Sequence, residues 1–280
     1  MKRLVTFGLV IAAATCRAAP PGLEATDARA LGMGGAYRSL AETTAAARFN
    51  PAGLSPHRGF FAGASYATSP TSALDAVHIT LVDNITSPMG GALQYSHFQG
   101  KEEREEISLS LSAGDTKQFS GLWWGFTGRY VQARGRSAAE WDDLLTGDVG
   151  FLFERPGGIR IAAVGYDIFD TSSTFLNRRI ALGVSRSSPE GWVVAGDVVR
   201  NLDRDVSSGV DLHVGGEYAR PGSPWAFRAG YQWRGDTGKD YGSLGVGWRL
   251  TDVLQLAGAL QQARQGADGH LVVVSVEGSF

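Results

Sequence analysis

The segment WAFRAGYQWR (Trp225–Arg234) decides the fold class, because it alternates apolar and polar side chains. Trp225 and Trp233 are eight residues apart on one face, about 26 Å along a strand and about 20 Å along the membrane normal for a strand tilted by about 40°. This is close to the separation of the two aromatic girdles of an outer-membrane barrel. The alternative, a secreted soluble sandwich, also alternates but seldom places so many aromatic residues near strand ends. The segment therefore predicts a membrane-spanning strand. Its two faces carry Trp225, Phe227, Ala229, Tyr231 and Trp233 against Arg228, Gln232 and Arg234.

The same alternation recurs from about residue 58 to the end of the chain, and Ile107–Ser112 shows it most clearly. After the first 18 residues no run of about 18 uninterrupted apolar residues occurs, so any membrane span must be a strand. An even number of strands is what a closed bacterial barrel requires. We predict an all-β fold, a 14-stranded antiparallel transmembrane barrel. The predicted strands lie near residues 58–68, 73–83, 89–100, 105–114, 119–133, 143–155, 158–169, 177–186, 191–200, 207–219, 224–234, 240–250, 253–263 and 269–280.

The links between the predicted strands also alternate in character. Links after even-numbered strands carry Pro and Gly, as in Arg155–Gly158 and Ser188–Gly191. Links after odd-numbered strands are charged and polar. Because the chain is expected to enter from the periplasm, the first set is predicted to be periplasmic and the second extracellular. The second set includes Lys101–Glu106, Ser137–Asp143, Asn201–Asp205 and Gly235–Asp240.

The N-terminus has the composition of an export signal. Lys2 and Arg3 precede an apolar run, Leu4–Thr15, and cleavage is expected after Ala18. Cys16 offers the alternative of a lipidated N-terminus, although the residues before it do not fit a lipoprotein acceptor site. Removal of the leader takes away three of the 26 basic residues and no acidic one, which leaves 23 basic against 28 acidic residues and a net charge of −5. This charge gives no basic field for nucleic acid.

The residue types that carry most enzyme chemistry are missing or scattered. The expected mature chain has no cysteine, so it can form neither a thiolate metal site nor a thiol nucleophile. No GxSxG motif occurs, and Ser96 and His97 are interpreted as strand residues on opposite faces. We predict no catalytic residue, no metal site, no cofactor and no enzymatic activity. The histidines, which lack any zinc-binding spacing, are His57, His78, His97, His213 and His270.

Charged residues on the polar faces of the predicted strands are expected to line the lumen. Such residues either line a pathway or, more often, form a neutralising network that holds a plug in a wet lumen. The candidates are Arg129, Asp148, Glu154, Asp197, Asp211, Glu217, Arg228 and Arg249.

Residues 19–57 do not follow the strand pattern. Ala30–Tyr37 is too rich in glycine to pack as an ordinary strand, and Leu40–Phe49 is predicted to be a short Ala-rich helix. The helix should end at Asn50-Pro51, because a residue before proline is displaced from the α region.

The run from Ala28–Ala36 through Ala45–Leu54 resembles the FadL family of outer-membrane transporters for long-chain fatty acids and hydrocarbons, and the wider group that includes PorV-like barrels. In that family a Gly-rich segment, a short helix and an Asn-Pro-Ala turn form an N-terminal hatch inside a 14-stranded barrel. The resemblance implies three parts: a signal peptide over residues 1–18, a hatch over 19–57 and the barrel over 58–280. It also implies hatch roles for Gly32, Gly34, Gly35, Asn50, Pro51 and Ala52.

The sequence departs from the family pattern at several points. Glu42-Thr43 stands where paired acids are usual, Arg48 takes a place that is often aromatic, and the extracellular links are short. Two functions therefore remain open. The first is passive, hatch-gated transport of small hydrophobic or amphipathic solutes across the outer membrane. The alternative is a PorV-like structural or docking barrel for a secretion, surface-attachment or motility assembly.

The last predicted strand ends on Phe280, and a terminal aromatic residue resembles the signal read by the barrel assembly machinery. We expect the protein in the bacterial outer membrane. Its expected partners are outer-membrane lipid, the barrel assembly machinery, a hydrophobic small-molecule ligand and an envelope protein.

Overall fold

The fold is a closed antiparallel β-barrel of fourteen strands in which each strand pairs with its sequence neighbours and β1 pairs with β14. This confirms the predicted fold class and strand number. A computed structural model describes residues 26–69, 74–100, 102–116, 119–135, 142–169, 176–203, 209–235, 237–264 and 269–280, so the expected leader and Cys16 lie outside the described residues. The strands are β1 Phe60–Ser69, β2 Leu74–Asp83, β3 Gly90–Gln99, β4 Glu102–Thr116, β5 Phe119–Gly135, β6 Asp142–Arg155, β7 Ile159–Tyr166, β8 Arg179–Ser187, β9 Trp192–Asn201, β10 Val210–Tyr218, β11 Trp225–Arg234, β12 Lys239–Arg249, β13 Leu254–Ala263 and β14 His270–Ser279.

The outer surface of the barrel is apolar, because alternate residues of every strand point away from the lumen. Leu182 and Leu244 lie near the middle of their strands and are 62% and 66% exposed. Burying so much apolar surface requires a lipid environment, since a monomeric soluble protein rarely exposes a patch of this kind. The closed barrel with its apolar outer belt is therefore an outer-membrane protein.

Aromatic residues mark the two ends of this apolar belt. We call the end of the barrel that carries the short links after even-numbered strands the turn end. There Trp225 stacks on Trp248, with ring centroids 5.2 Å apart. At the opposite end, the loop end, tyrosine hydroxyls donate to carboxylates of the neighbouring strands. These tyrosine contacts are Tyr66 to Asp75 at 2.6 Å, Tyr130 to Asp143 at 2.9 Å and Tyr231 to Asp240 at 3.3 Å.

The charged run after β3 differs from its prediction. Lys101–Glu106 was expected to be a link, but β4 begins at Glu102 and pairs with β5 as far as Gly135. Arg104 and Glu106 are buried on the inner face of β4, with Arg104 Nε 3.0 Å from Glu106 Oε1. Their mutual neutralisation permits a charged strand in the lumen, which a pattern of charged residues alone does not reveal.

The N-terminal segment forms two short helices and a 3₁₀ turn. Helix α1, Ala28–Gly32, was not predicted; the Asp27 carboxylate caps it by accepting from the Ala30 amide at 2.9 Å. Helix α2, Thr43–Phe49, ends before Asn50 as predicted, and the 3₁₀ turn covers Pro51–Leu54.

Among the described residues, no helix has both the length and the apolar character needed to cross a membrane.

Candidate functional site

Residues 26–57, which we call the plug, lie inside the barrel against its inner wall. Glycines on the wall allow this close approach. A Cβ added to Gly215 would be 2.3 Å from the Met33 carbonyl oxygen, and one added to Gly230 would be 2.1 Å from the Gly34 amide nitrogen. The wall is therefore shaped to receive the plug, a feature that the sequence pattern did not indicate because strand glycines also occur at bulges and turns.

The three predicted plug glycines all lie against the wall. A Cβ added to Gly32 would be 3.1 Å from the Gly245 Cα. Gly34 and Gly35 have φ angles of +66° and +80°, in the left-handed region that favours glycine. A Cβ at Gly34 would be 2.5 Å from the Tyr231 amide nitrogen, so both space and conformation require glycine there.

The predicted turn at Asn50, Pro51 and Ala52 is buried at the centre of the plug. The Asn50 amide group donates to the Arg38 carbonyl at 3.0 Å and to the Phe151 carbonyl at 3.2 Å, and its oxygen accepts from the Ala52 amide at 3.1 Å. Asn50 thus joins two parts of the plug to β6.

Ion pairs hold the plug to four different strands. The buried Asp197 carboxylate also accepts from the backbone amide of Tyr37 at 2.7 Å and from that of Arg38 at 3.0 Å. Sequence reasoning named Asp197 and Glu217 on the wall but missed their plug partners, Arg38 and Arg29, because these lie 159 and 188 residues away in the sequence and no local pattern marks them. The pairs are Arg29 with Glu217 at 2.8 Å, Arg38 with Asp197 at 3.4 Å, Arg48 with Glu106 at 2.7 Å, and Glu42 with Arg160.

The other predicted lumen residues have different surroundings. Arg129 pairs with Asp148 on the inner wall and lies 3.5 Å from Asp167. Glu154 lies 3.2 Å from Arg160, the partner of Glu42. Asp211 accepts from the Gly235 amide at 3.0 Å near the loop end. Arg228 lies 2.5 Å from Glu217. Arg249 is exposed at the turn end and donates to the Ser223 carbonyl at 3.0 Å.

Glu42 and His57 form an ion-pair contact within the plug. The His57 Nε2 lies 2.9 Å from Glu42 Oε2. Burial raises the pKa of Glu42, but His57 and Arg160 outweigh burial and lower that pKa to about 2. The contact with Glu42 raises the pKa of His57, against the smaller effect of burial.

A cavity of about 300 Å³ lies between the plug and strands β10 to β14, towards the turn end. It persists because the wall there carries small residues, Ala226, Gly247 and Ala257. Its charged lining residues are Asp27 and Arg29 of the plug and Glu217, Arg228, Arg249 and Glu277 of the wall. A second cavity of about 40 Å³ lies between α2 and strands β1, β2, β3 and β14.

The histidines do not assemble a catalytic or metal centre within the described part of the chain. Ser96 is buried and its hydroxyl lies 2.8 Å from His78 Nδ1, whereas His97 lies on the other face near Glu105. In the described ranges no group of three or more His, Cys, Asp or Glu residues could bind a metal ion.

Phe280 lies at the seam between the first and last strands. Its amide donates to the Phe60 carbonyl at 2.8 Å, and the two rings are 6.2 Å apart. The side chain is 74% exposed.

The fold is that of known outer-membrane hydrocarbon channels. The CymD monoaromatic hydrocarbon channel superposes with a TM-score of 0.68 at 13% identity, over 92% of this chain and 98% of that one. The Ralstonia pickettii toluene transporter TbuX gives 0.68 at 12% identity, over 92% and 99%. A Pseudomonas aeruginosa FadL homologue gives 0.67 at 10% identity, over 95% and 99%. The FadL-like fold predicted from the N-terminal motif is therefore confirmed.

No protein-family model and no curated protein sequence matches the chain.

Proposed function

We propose that this barrel carries small hydrophobic or amphipathic solutes passively across the outer membrane, with the plug acting as a hatch. The observation that carries the proposal is the plug itself, which occupies the lumen of a FadL-like barrel yet leaves a cavity of about 300 Å³ beside it. A volume of this size suits a small ligand. In this proposal the turn end faces the periplasm, and the cavity is the last compartment before release.

The proposed roles follow the contacts. Gly32, Gly34 and Gly35 let the hatch lie against the wall, and the turn at Asn50, Pro51 and Ala52 fixes its shape. The charged residues of the lumen hold the hatch and give the passage a polar lining. This lining favours amphipathic solutes over purely hydrocarbon ones, because an uncharged apolar solute gains nothing from contact with hydrated ions. Phe280 is proposed as the assembly signal.

The double substitution Asn50→Ala, Pro51→Ala tests the hatch. It removes the three hydrogen bonds of the Asn50 amide group and the restriction that Pro51 imposes on the turn. We expect the barrel to remain folded and heat-modifiable, while uptake of a hydrophobic dye into vesicles changes relative to the unsubstituted chain. Empty vesicles and Asn201→Ala, which removes an amide oxygen that accepts from the Asp203 backbone amide at 3.0 Å, are the controls.

A structural or docking barrel is the second candidate function. The four ion pairs between plug and wall favour it, because a plug held at four separate points resists displacement. This function predicts unaltered dye uptake in the Asn50, Pro51 double variant, together with loss of a co-purifying envelope partner. Changed uptake with no such loss would favour transport.

A further inference from the structure

The cavity beside the plug contains a buried guanidinium with an unused hydrogen-bond donor. The Arg228 side chain is 7% exposed, and its Nε lies 2.5 Å from Glu217 Oε2. Its Nη1 has no hydrogen-bond partner among the described atoms. A buried N–H group without an acceptor costs free energy, so the site is incomplete as it stands.

The guanidinium lies across the floor of the cavity at Gly247. A Cβ added to Gly247 would be 2.9 Å from Arg228 Nη1 and 2.8 Å from Nη2. Only hydrogen atoms occupy this side of Gly247, so the absence of a side chain there lets the guanidinium lie directly against the backbone of β12. Both residues line the cavity.

Positive charge exceeds negative charge around Glu217, although the cavity as a whole is lined by three arginines and three acidic residues. Glu217 is shared, because Arg29 donates to it through Nε at 2.9 Å and Nη2 at 2.8 Å while Arg228 also contacts it. One carboxylate therefore serves two guanidinium groups, and Arg249 adds a third at the rim. The acidic residues Asp27 and Glu277 also line the cavity, but each already accepts hydrogen bonds within the protein, Asp27 from the Ala30 amide and Glu277 from the hydroxyls of Thr43 and Thr44.

A guanidinium that has a free N–H donor and shares its carboxylate contact with a second guanidinium is suited to bind an oxyanion. We infer that the cavity is a binding site for a small organic oxyanion, a carboxylate or phosphate on a compact apolar body, which accepts a hydrogen bond from Arg228 Nη1. The apolar body would lie against Ala226 and Ala257. Binding stands on the cavity alone, whereas its use as an exit site for solutes rests on the proposed function. The site would distinguish the chain from the toluene and hydrocarbon channels that share its fold.

Binding of benzoate to the purified full chain in a non-ionic detergent tests the inference, with benzyl alcohol as a neutral probe of the same shape. We expect benzoate to bind and benzyl alcohol to bind about tenfold more weakly or worse, because the charge-assisted hydrogen bond is lost. Phenyl phosphate separates the two oxyanion classes, since only one of them need fit the cavity.

Two variants locate the site. Arg228→Gln removes the guanidinium, and Gly247→Ser keeps the charge but displaces the guanidinium, because the added Cβ would lie 2.8 Å from Nη2 and 2.9 Å from Nη1. Both should weaken benzoate binding about tenfold or more. Gly258→Ser, on the lipid-facing side of β13 where an added Cβ meets nothing within 4 Å, is the matched control and should bind normally.

The inference is wrong if neither benzoate nor phenyl phosphate binds, if benzyl alcohol binds as well as both, or if Gly247→Ser binds like the control. Uptake of benzoate by vesicles that contain the barrel is a separate measurement. Binding without uptake would contradict the proposed transport function and leave the oxyanion site intact, and uptake without binding would do the reverse.

Discussion

At the scale of single residues, the contact between Glu42 and His57 makes the plug sensitive to pH. The contribution of His57 is complete below its ordinary pKa of 6.5 and is lost as the pH rises through its raised pKa. The contribution of Glu42 is complete above 4.5 and is lost as the pH falls towards about 2. The contact is therefore strongest between these two ordinary values. The other charges that face His57 are Arg160 and Glu154, from β7 and β6.

We predict that the plug loosens as the pH rises above about 6.5 and through the raised pKa of His57, and that His57→Gln abolishes this change. Hydrogen exchange of peptides covering residues 40–58, corrected for the intrinsic pH dependence of exchange, measures it. Peptides from β11 serve as the internal control. Equal pH dependence in the wild type and in His57→Gln would show that His57 is not responsible.

Residues with a local signature could be predicted from the sequence, and residues whose role depends on distant partners could not. Asn50-Pro51 predicts the end of a helix, because proline displaces the preceding residue from the α region of backbone conformation. The ion pair of Arg38 could not be predicted from the residues around it, because its partner Asp197 lies on β9 and the two meet only in the folded barrel. The ion pair between Arg48 and Glu106 likewise joins residues that are distant in the sequence and could not be predicted from local patterns.

At the scale of secondary-structure elements, β10 shows how one strand serves two environments. Gly215 faces the plug, whereas the next residue, Gly216, faces lipid and has only the Val193 carbonyl within 4 Å of an added Cβ, at 3.8 Å. We predict that Gly215→Leu expels or displaces the plug, since even a Cβ would meet the Met33 carbonyl oxygen at 2.3 Å. Gly216→Leu should leave the plug in place.

Protease protection of residues 26–57 in the two leucine variants tests this prediction. The heat-modifiable folded form should be retained in both, because the strand pairs of β10 are unchanged. Equal protection of the plug in Gly215→Leu and Gly216→Leu would contradict the assignment of the inner face.

The strands were predictable because successive side chains of a strand point to opposite faces, so a buried and an exposed face produce an apolar–polar alternation with a period of two residues in the sequence. All fourteen predicted segments correspond to strands, and the largest errors occur where charge or backbone conformation overrides the pattern. Glu102–Glu106 was assigned to a link because it is charged, and β7 ends at Tyr166 because Asp167 adopts a φ of +55°. Helix α1 was missed because five residues are too few for a helical period to show.

At the scale of the whole molecule, the outer belt determines where the barrel is stable. Leu244 lies at the middle of β12 and is 66% exposed on the lipid face. Leu244→Arg should cost about 2–4 kcal/mol of folding free energy in a bilayer, because a charge at the bilayer midplane is poorly solvated. Urea titration of folding into lipid vesicles measures this cost, with Leu244→Ala as the control. A cost no greater than that of the alanine variant would place Leu244 away from the lipid core.

In the proposed function the plug must move for solutes to pass, and a reversible tether between the plug and the wall tests this requirement. A Cβ added to Gly63 on β1 would be 3.2 Å from the Thr44 Cβ, close to the roughly 3.5–4.5 Å of a disulfide. The double variant Thr44→Cys, Gly63→Cys, made with Cys16→Ser, can therefore lock α2 to the wall. Each single cysteine variant, treated with the same oxidant, is the control.

Uptake of a hydrophobic dye by vesicles that contain this variant is the decisive measurement, with disulfide formation verified by mass spectrometry. Oxidation should lower uptake to the level of empty vesicles and a reductant should restore it, while the single-cysteine controls do not respond. Equal uptake by the fully oxidised and the reduced protein would show that the plug need not move for solutes to pass.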